Sequence, residues 1–247
     1  MWVGTRTARF AEMVRFLRTT LELPVGLERA HFVRFDLAEG SCFEVFDSAL
    51  DHYAHFSTGP VVGFEVADFD RSRPELERQG YPLMGPEGGE RGQYRWQHFR
   101  GPDGLVLEIV DRPERPARRP PTGALSVTQI AWMGVSTARF DSVASFYRET
   151  LGLPVEEQTN DLIECRLPDG STVEAFRRGS PMDHPHFRTG PVPGLGVPDV
   201  VAAVRLLRER GVPLLQHRVR EGGGWAHFRA PDGNVYELKE SSRSPAR

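Results

Sequence analysis

Apolar residues recur at helical spacing near the start of the chain, where Phe10, Val14, Leu17 and Leu21 fall on one face. Phe140, Ala144, Tyr147 and Leu151 repeat that pattern later. Leu151-Gly152-Leu153-Pro154 predicts a helix end, because glycine takes the left-handed cap and proline cannot continue the helix. The first helix has Glu22 at the matching place, which predicts a weaker stop. Period-two alternation follows. Cys42, Glu44 and Phe46 face away from Phe43 and Val45, and Thr172, Glu174 and Phe176 face away from Val173 and Ala175. The order then starts again. Residues 61–66 read as a strand and Asp68 as the cap of a helix reaching about Gln79. Residues 192–197, Asp199 and a helix ending before Gly211 match them. A strand, a Pro-Asp-Gly turn and another strand close each run, since Asp-Gly between strand-like segments signals a hairpin. The chain therefore reads as strand, helix, strands, four times over.

These units form two copies of a longer block. WVGTRTARFAEMVRFLRTTLELPV from Trp2 matches WMGVSTARFDSVASFYRETLGLPV from Trp132. HFSTGPVVGFEVADFD from His55 matches HFRTGPVPGLGVPDVV from His186, and WQHFRGPDGLVLEIV from Trp96 matches WAHFRAPDGNVYELK from Trp225. Such self-similarity marks an internal duplication. It divides the chain into residues 1–111, a linker at 112–125, residues 126–241 and a tail at 242–247. Pro113, Pro116, Pro120 and Pro121 deny the linker backbone donors, and Arg112, Arg115, Arg118 and Arg119 keep it solvated.

Composition narrows the function classes. A formal net charge of −3 over 247 residues gives no field to attract nucleic acid or a membrane surface. No apolar run approaches the roughly 20 residues of a membrane span, and the N-terminal residues lack the layout of a signal peptide. Cys42 and Cys165 stand in no metal-ligand spacing and read as small apolar strand residues. A cytoplasmic protein is the expectation.

The segments FYRETLGLPV (146–155), GFEVADFD (63–70), HFRGPDGLVLEIV (98–110) and HFRAPDGNVYELK (227–239) give the chain its resemblance to the vicinal oxygen chelate superfamily. That superfamily includes glyoxalase I, bleomycin-resistance proteins, fosfomycin-resistance enzymes and extradiol dioxygenases. The resemblance covers nearly all of both copies. It implies an α+β fold of four βαβββ units, forming two tandem glyoxalase-like domains whose curved mixed sheets make cups. It also implies a small-molecule ligand and one divalent metal per domain (zinc, iron, manganese or nickel). The family's first metal-ligand position falls on Trp2 and Trp132, which offer only an indole donor, and its second on Val61 and Val192. Two carboxylate positions survive in each copy: Glu44 and Glu174, then Glu108 and Glu237. A metal-free cup is thus the alternative.

The resemblance places Trp96 and His98, and Trp225 and His227, inside the cups, since residues two apart on a strand share a face. Each cup would hold two tryptophans, one histidine and two glutamates. Candidate acid/base pairs are Glu108 with His98 and Glu237 with His227. Candidate metal ligands are Glu44, His98 and Glu108 in one copy, and Glu174, His227 and Glu237 in the other. Trp2, Trp96, Trp132 and Trp225 are candidate ligand-stacking residues. Plainer readings stand beside these. The histidines could close the hairpin by bonding a carboxylate, Glu44 and Glu174 could be exposed, and the tryptophans could be core. Asp51, His52 and His55, with Asp183, His184 and His186, read as a rim loop that supplies a histidine or as a turn capped by aspartate.

Two functions follow. One is an enzyme acting on a small polar or aromatic metabolite by isomerase, lyase or dioxygenase-like chemistry. The other is a metal-free protein that binds a drug or metabolite between tryptophans. A scaffold with vestigial cups ranks behind both. A monomer or a homodimer fits the pattern, and whether unit one completes its cup with unit two or with unit four is open.

Overall fold

The computed structural model describes residues 1–37, 39–51, 53–56, 58–113, 125, 127–187, 189–220 and 223–240. Most of the expected linker, the tail at 242–247 and His52 lie outside the described residues.

Four βαβββ units follow one another. The first comprises β1 (Trp2–Thr7), α1 (Phe10–Arg15), β2 (Val25–Arg29), β3 (Phe32–Asp36) and β4 (Cys42–Asp47). The second comprises β5 (Val61–Val66), α2 (Phe69–Arg78), β6 (Leu83–Gly89), β7 (Arg95–Arg100) and β8 (Val106–Asp111). The third comprises β9 (Val127–Thr137), α3 (Phe140–Ser145), β10 (Val155–Gln158), β11 (Leu162–Arg166) and β12 (Thr172–Arg177). The fourth comprises β13 (Val192–Val197), α4 (Val200–Glu209), β14 (Leu214–Arg220), β15 (Gly223–Arg229) and β16 (Val235–Glu240). Asp68 and Asp199 cap α2 and α4 as expected, accepting from Arg71 N at 3.0 Å and Ala202 N at 2.9 Å. The first helix stops where its copy does: Glu22 takes the left-handed φ of 53° and Gly152 a φ of 64°, so the weaker stop expected at Glu22 is not seen. Packing of Leu21 and Leu23 into the core imposes a conformation that glutamate disfavours.

Two eight-stranded sheets result. Their orders are β2-β3-β4-β1-β13-β16-β15-β14 and β6-β7-β8-β5-β9-β12-β11-β10. Unit one therefore completes its sheet with unit four, and unit two with unit three. Each seam is antiparallel, with Trp2 opposite Gly194 and Trp132 opposite Gly63. The chain passes from one sheet to the other at Thr58-Gly59-Pro60 and at Thr189-Gly190-Pro191. The two passages cross backbone to backbone, with Gly59 bridged to Gly190. A Cβ on Gly59 would lie 1.8 Å from the Pro191 carbonyl oxygen, so only glycine fits there.

One face of each sheet lies under helices and joins a shared apolar core that includes Phe16, Phe43, Phe64, Phe99, Phe140 and Phe228. Burying each such ring contributes roughly 1.5–3 kcal/mol. The opposite faces carry smaller clusters, one around Trp2, Phe46 and Phe56 and one around Trp132, Phe176 and Phe187. These faces are the cups. The cup of units two and three is the inner cup here, and that of units one and four the outer cup.

Candidate metal and ligand site

In the inner cup, Trp96 and His98 sit two apart on β7, Glu108 lies opposite His98 on β8, Trp132 comes from β9 and Glu174 from β12. His98 Nε2 lies 2.8 Å from Glu108 Oε2. The Trp132 indole lies flat along its own strand: a Cβ on Gly134 would meet the ring at 2.2 Å. The outer cup repeats this layout with Trp2, Glu44, Trp225, His227 and Glu237, and His227 Nε2 lies 2.8 Å from Glu237 Oε2. The exchange of units corrects one expectation. Glu44 shares a cup with His227 and Glu237, and Glu174 with His98 and Glu108. A ligand set of Glu44, His98 and Glu108 cannot form.

The plainer reading of the hairpin histidines holds in the outer cup, where His227 bonds Glu237, whereas in the inner cup His98 Nε2 lies close to Glu108 without forming a hydrogen bond. The plainer reading of Glu44 and Glu174 does not hold. Both are half-buried. Desolvation raises Glu44, and desolvation followed by nearby Glu164 pushes Glu174 up to about 8. Burial also raises Glu108 well above the carboxylate range and Glu237 to about 8. The tryptophans divide: Trp2 and Trp132 are buried, whereas Trp96 and Trp225 remain half-exposed at the rims.

The rim loops add what spacing alone could not place. Residues 178–187 follow β12 and fold over the inner cup. Asp183 anchors this loop by accepting from Gly179 N at 2.9 Å and from Ser136 Oγ, so the capping aspartate is realised there. The loop sets His184 and His186 beside His98, and one ring nitrogen from each of the three lies within 4.8 Å of the others. Burial lowers His98 to about 3 and both His184 and His186 to about 4. All three are thus neutral at physiological pH and have lone pairs to offer. His186 Nε2 is buried without a hydrogen-bond partner.

Beside the cluster lies a cavity of about 310 Å³, lined by Trp96, Trp132, Glu108, Glu174, Phe176 and His184 among others. A neighbouring cavity shares Tyr94 and Glu174 with it and is also lined by Arg112, whose guanidinium lies over the Tyr94 ring at 5.4 Å and donates to Thr172 Oγ1 at 3.0 Å. Arg112 was assigned to the linker by sequence; its contacts place it in the wall of that neighbouring cavity.

A family model described as the glyoxalase/bleomycin resistance protein/dioxygenase superfamily matches residues 129–238, which span units three and four. Residues 129–238 thus belong to this superfamily. The duplication extends that relationship to units one and two. The chain's fold is similar to that of glyoxalase I from Zea mays, with a TM-score of 0.67 at 14% identity, covering 97% of this chain and 91% of that one. It is also similar to a candidate dioxygenase from Bacillus subtilis subsp. subtilis str. 168, with a TM-score of 0.69 at 16% identity, covering 97% and 84%. At these identities the likeness shows the fold alone. No curated protein matches the sequence. No helix among the described residues is long and apolar enough to cross a membrane.

Within this superfamily the chain departs from the two-histidine, two-glutamate ligand set, because Trp2, Trp132, Val61 and Val192 cannot ligate. The inner cup offers a different donor set that does suit a divalent ion: three neutral imidazoles, of which His98 and His186 each have a buried Nε2 without a hydrogen-bond partner. A carboxylate behind a ligating histidine is a recurrent support for such ions, and Glu108 stands behind His98. The outer cup is built otherwise. Tyr53 stands in place of the middle histidine, and His55 Nε2 contacts His227 Nδ1 at 3.0 Å. Trp225 lies over His227, with ring centroids 4.5 Å apart. In the inner cup the matching Trp96 packs against Tyr94 instead, at 5.5 Å.

Proposed function

We propose that this protein is an enzyme that works from its inner cup on a compact, flat small molecule, with a divalent metal held by His98, His184 and His186. The observation that carries this reading is the convergence of three neutral imidazoles at a cavity walled by Trp96 and Trp132. When bound, a borderline divalent ion such as zinc would polarise a substrate oxygen.

The chain's own residues supply the rest. Trp96 and Trp132 orient a planar substrate by their faces. Glu174 holds its proton near neutral pH and shares the cavity wall, so it is suited to giving a proton to the substrate or taking one back. Glu108 faces His98 Nε2 at 2.8 Å, which leaves Nδ1 for the ion. The buried walls exclude water from the reacting atoms.

Metal analysis after chelator-free purification, followed by Co2+ titration, tests the reading. One equivalent per chain is expected, with the absorption of nitrogen ligation, and it should be lost in the His98→Ala, His184→Ala, His186→Ala triple variant. Binding that the triple variant retains would overturn the proposed site. Given a bound metal, turnover of a planar substrate unaffected by Glu174→Gln would remove Glu174 from the chemistry.

A further inference from the structure

A cavity of about 430 Å³ lies between α3, the residues that follow α4 and the turn joining β15 to β16, and it shares no lining residue with the inner-cup cavity. Arg139, Arg210 and Arg229 line it together with Ser142, Phe146 and Thr150 among others, and no carboxylate is among the lining residues. Two of the guanidiniums are held on one turn: Arg139 Nη1 donates to the Pro231 carbonyl at 3.3 Å, and Arg229 Nη1 to the Gly233 carbonyl at 2.7 Å. Like charges gathered in this way repel one another and attract an anion. Among the described residues none of the three arginines forms an ion pair. Glu149 stands outside the lining and is held by Arg148 at 2.6 Å.

The corresponding place in the first copy is built from side chains that satisfy one another. Arg9, the counterpart of Arg139, pairs with Glu12. Thr20 Oγ1 donates to Gln79 Oε1 at 2.5 Å, and the Tyr81 ring meets Phe16 edge-on at 4.7 Å. In the second copy Glu12, Gln79 and Tyr81 become Ser142, Arg210 and Val212. The first change removes a carboxylate, the second adds a guanidinium and the third takes away a ring that would stand against Phe146. Ser145 in place of Arg15 is the one lining change that removes a positive charge. The duplication thus supplies an internal control in which the same fold positions carry no cavity-facing cluster of unpaired arginines.

We propose that this cavity binds a small molecule carrying a phosphate monoester, with the phosphate among the three guanidiniums and the organic part against Phe146 and Val212. A guanidinium presents its N–H donors as a planar fork that matches two phosphate oxygens, and the turn carbonyls fix the forks of Arg139 and Arg229 beforehand. Such a phosphate carries roughly −1.5 to −2 charge at neutral pH, which suits three cations without a carboxylate among them. The site is separate from the inner cup and stands whether or not that cup holds a metal.

Isothermal titration calorimetry of the full chain with phenyl phosphate tests this. One molecule per chain is expected, with Kd below about 1 mM at low salt. Ser142→Glu, which restores the carboxylate that Glu12 supplies in the first copy, should weaken binding at least about tenfold, and so should the Arg139→Gln, Arg210→Gln double variant. Both arginines are exposed, so the double variant should melt as the parent does. Arg9→Gln and the His98→Ala, His184→Ala, His186→Ala triple variant should leave the affinity unchanged. No saturable heat up to about 10 mM phenyl phosphate overturns the proposal. So does an affinity indifferent to both Ser142→Glu and the arginine double variant, or one lost in the triple histidine variant, which would move the phosphate to the inner cup. Inorganic phosphate or benzoate binding as tightly as phenyl phosphate would overturn it as well, by removing the role of the ring or of the phosphoryl group.

Discussion

Tyr53 stands in the outer cup where His184 stands in the inner one. Tyr53 stacks on Phe56 at 4.9 Å and 24°, and His184 on Phe187 at 4.7 Å and 21°. Each meets the hairpin histidine of its cup nearly edge-on, Tyr53 with His227 at 5.3 Å and His184 with His98 at 5.1 Å. One residue thus separates a three-imidazole cluster from a cup with two imidazoles and a phenol.

Exchanging these residues should exchange their behaviour. His184→Tyr is expected to weaken Co2+ binding at the inner cup by on the order of 10–100-fold, the range over which altered ligand surroundings act. Tyr53→His is expected to raise the capacity from one ion per chain to two, read from the titration endpoint. An endpoint unchanged by Tyr53→His would show that more than the phenol keeps the outer cup from holding an ion.

Stability of the metal-free protein should peak at about pH 6–7, where two opposing proton linkages balance. Five histidines are depressed by burial: His98 and His227 to about 3, and His55, His184 and His186 to about 4. The unfolded chain binds protons at these sites below the ordinary histidine value of about 6.5 while the folded chain does not, so stability falls as pH drops from there. Glu174 and Glu237 are raised to about 8. Their contribution is full below the ordinary carboxylate value and is lost as pH rises through about 8. Thermal melts from pH 4.5 to 8.5 should trace this dome. Glu237→Gln should flatten its alkaline side, and an equally steep alkaline limb in that variant would contradict the linkage.

The exchanged pairing predicts how fragments behave. Residues 1–113 alone leave the seam edges of β1 and β5 without partners, and such edges seek pairing. This fragment should self-associate, and co-expression with residues 125–247 should give a one-to-one complex with both sheets restored. Light scattering after size exclusion reports the masses. A folded, monomeric 1–113 fragment would contradict the pairing.

Much of this was legible in the chain. Period and caps give all four units, because helix and strand repeats depend on neighbours close in sequence. Duplication sharpened the cup residues, since Trp132, His98, Glu108 and Glu174 recur as Trp2, His227, Glu237 and Glu44. The histidine pair in the rim loop was visible, but its destination was not. Spacing matched His184 with His52, whereas the stacking geometry matches it with Tyr53.

The sequence by itself determined the units, their order and the loss of the superfamily's histidine ligands, all of which rest on local pattern or residue identity. Tertiary structure alone decided that unit one seats against unit four, and hence that Glu174 rather than Glu44 joins His98 and Glu108. It also decided that one cup gathers three imidazoles while the other sets Tyr53 and Trp225 against His227. The reason is physical: strand edges of like pattern can pair in more than one combination. The choice lies in the crossing at Gly59 and Gly190 and in contacts between residues far apart in sequence: Val106 N donates to the Thr189 carbonyl at 2.7 Å, and Val235 N to the Thr58 carbonyl at 3.0 Å.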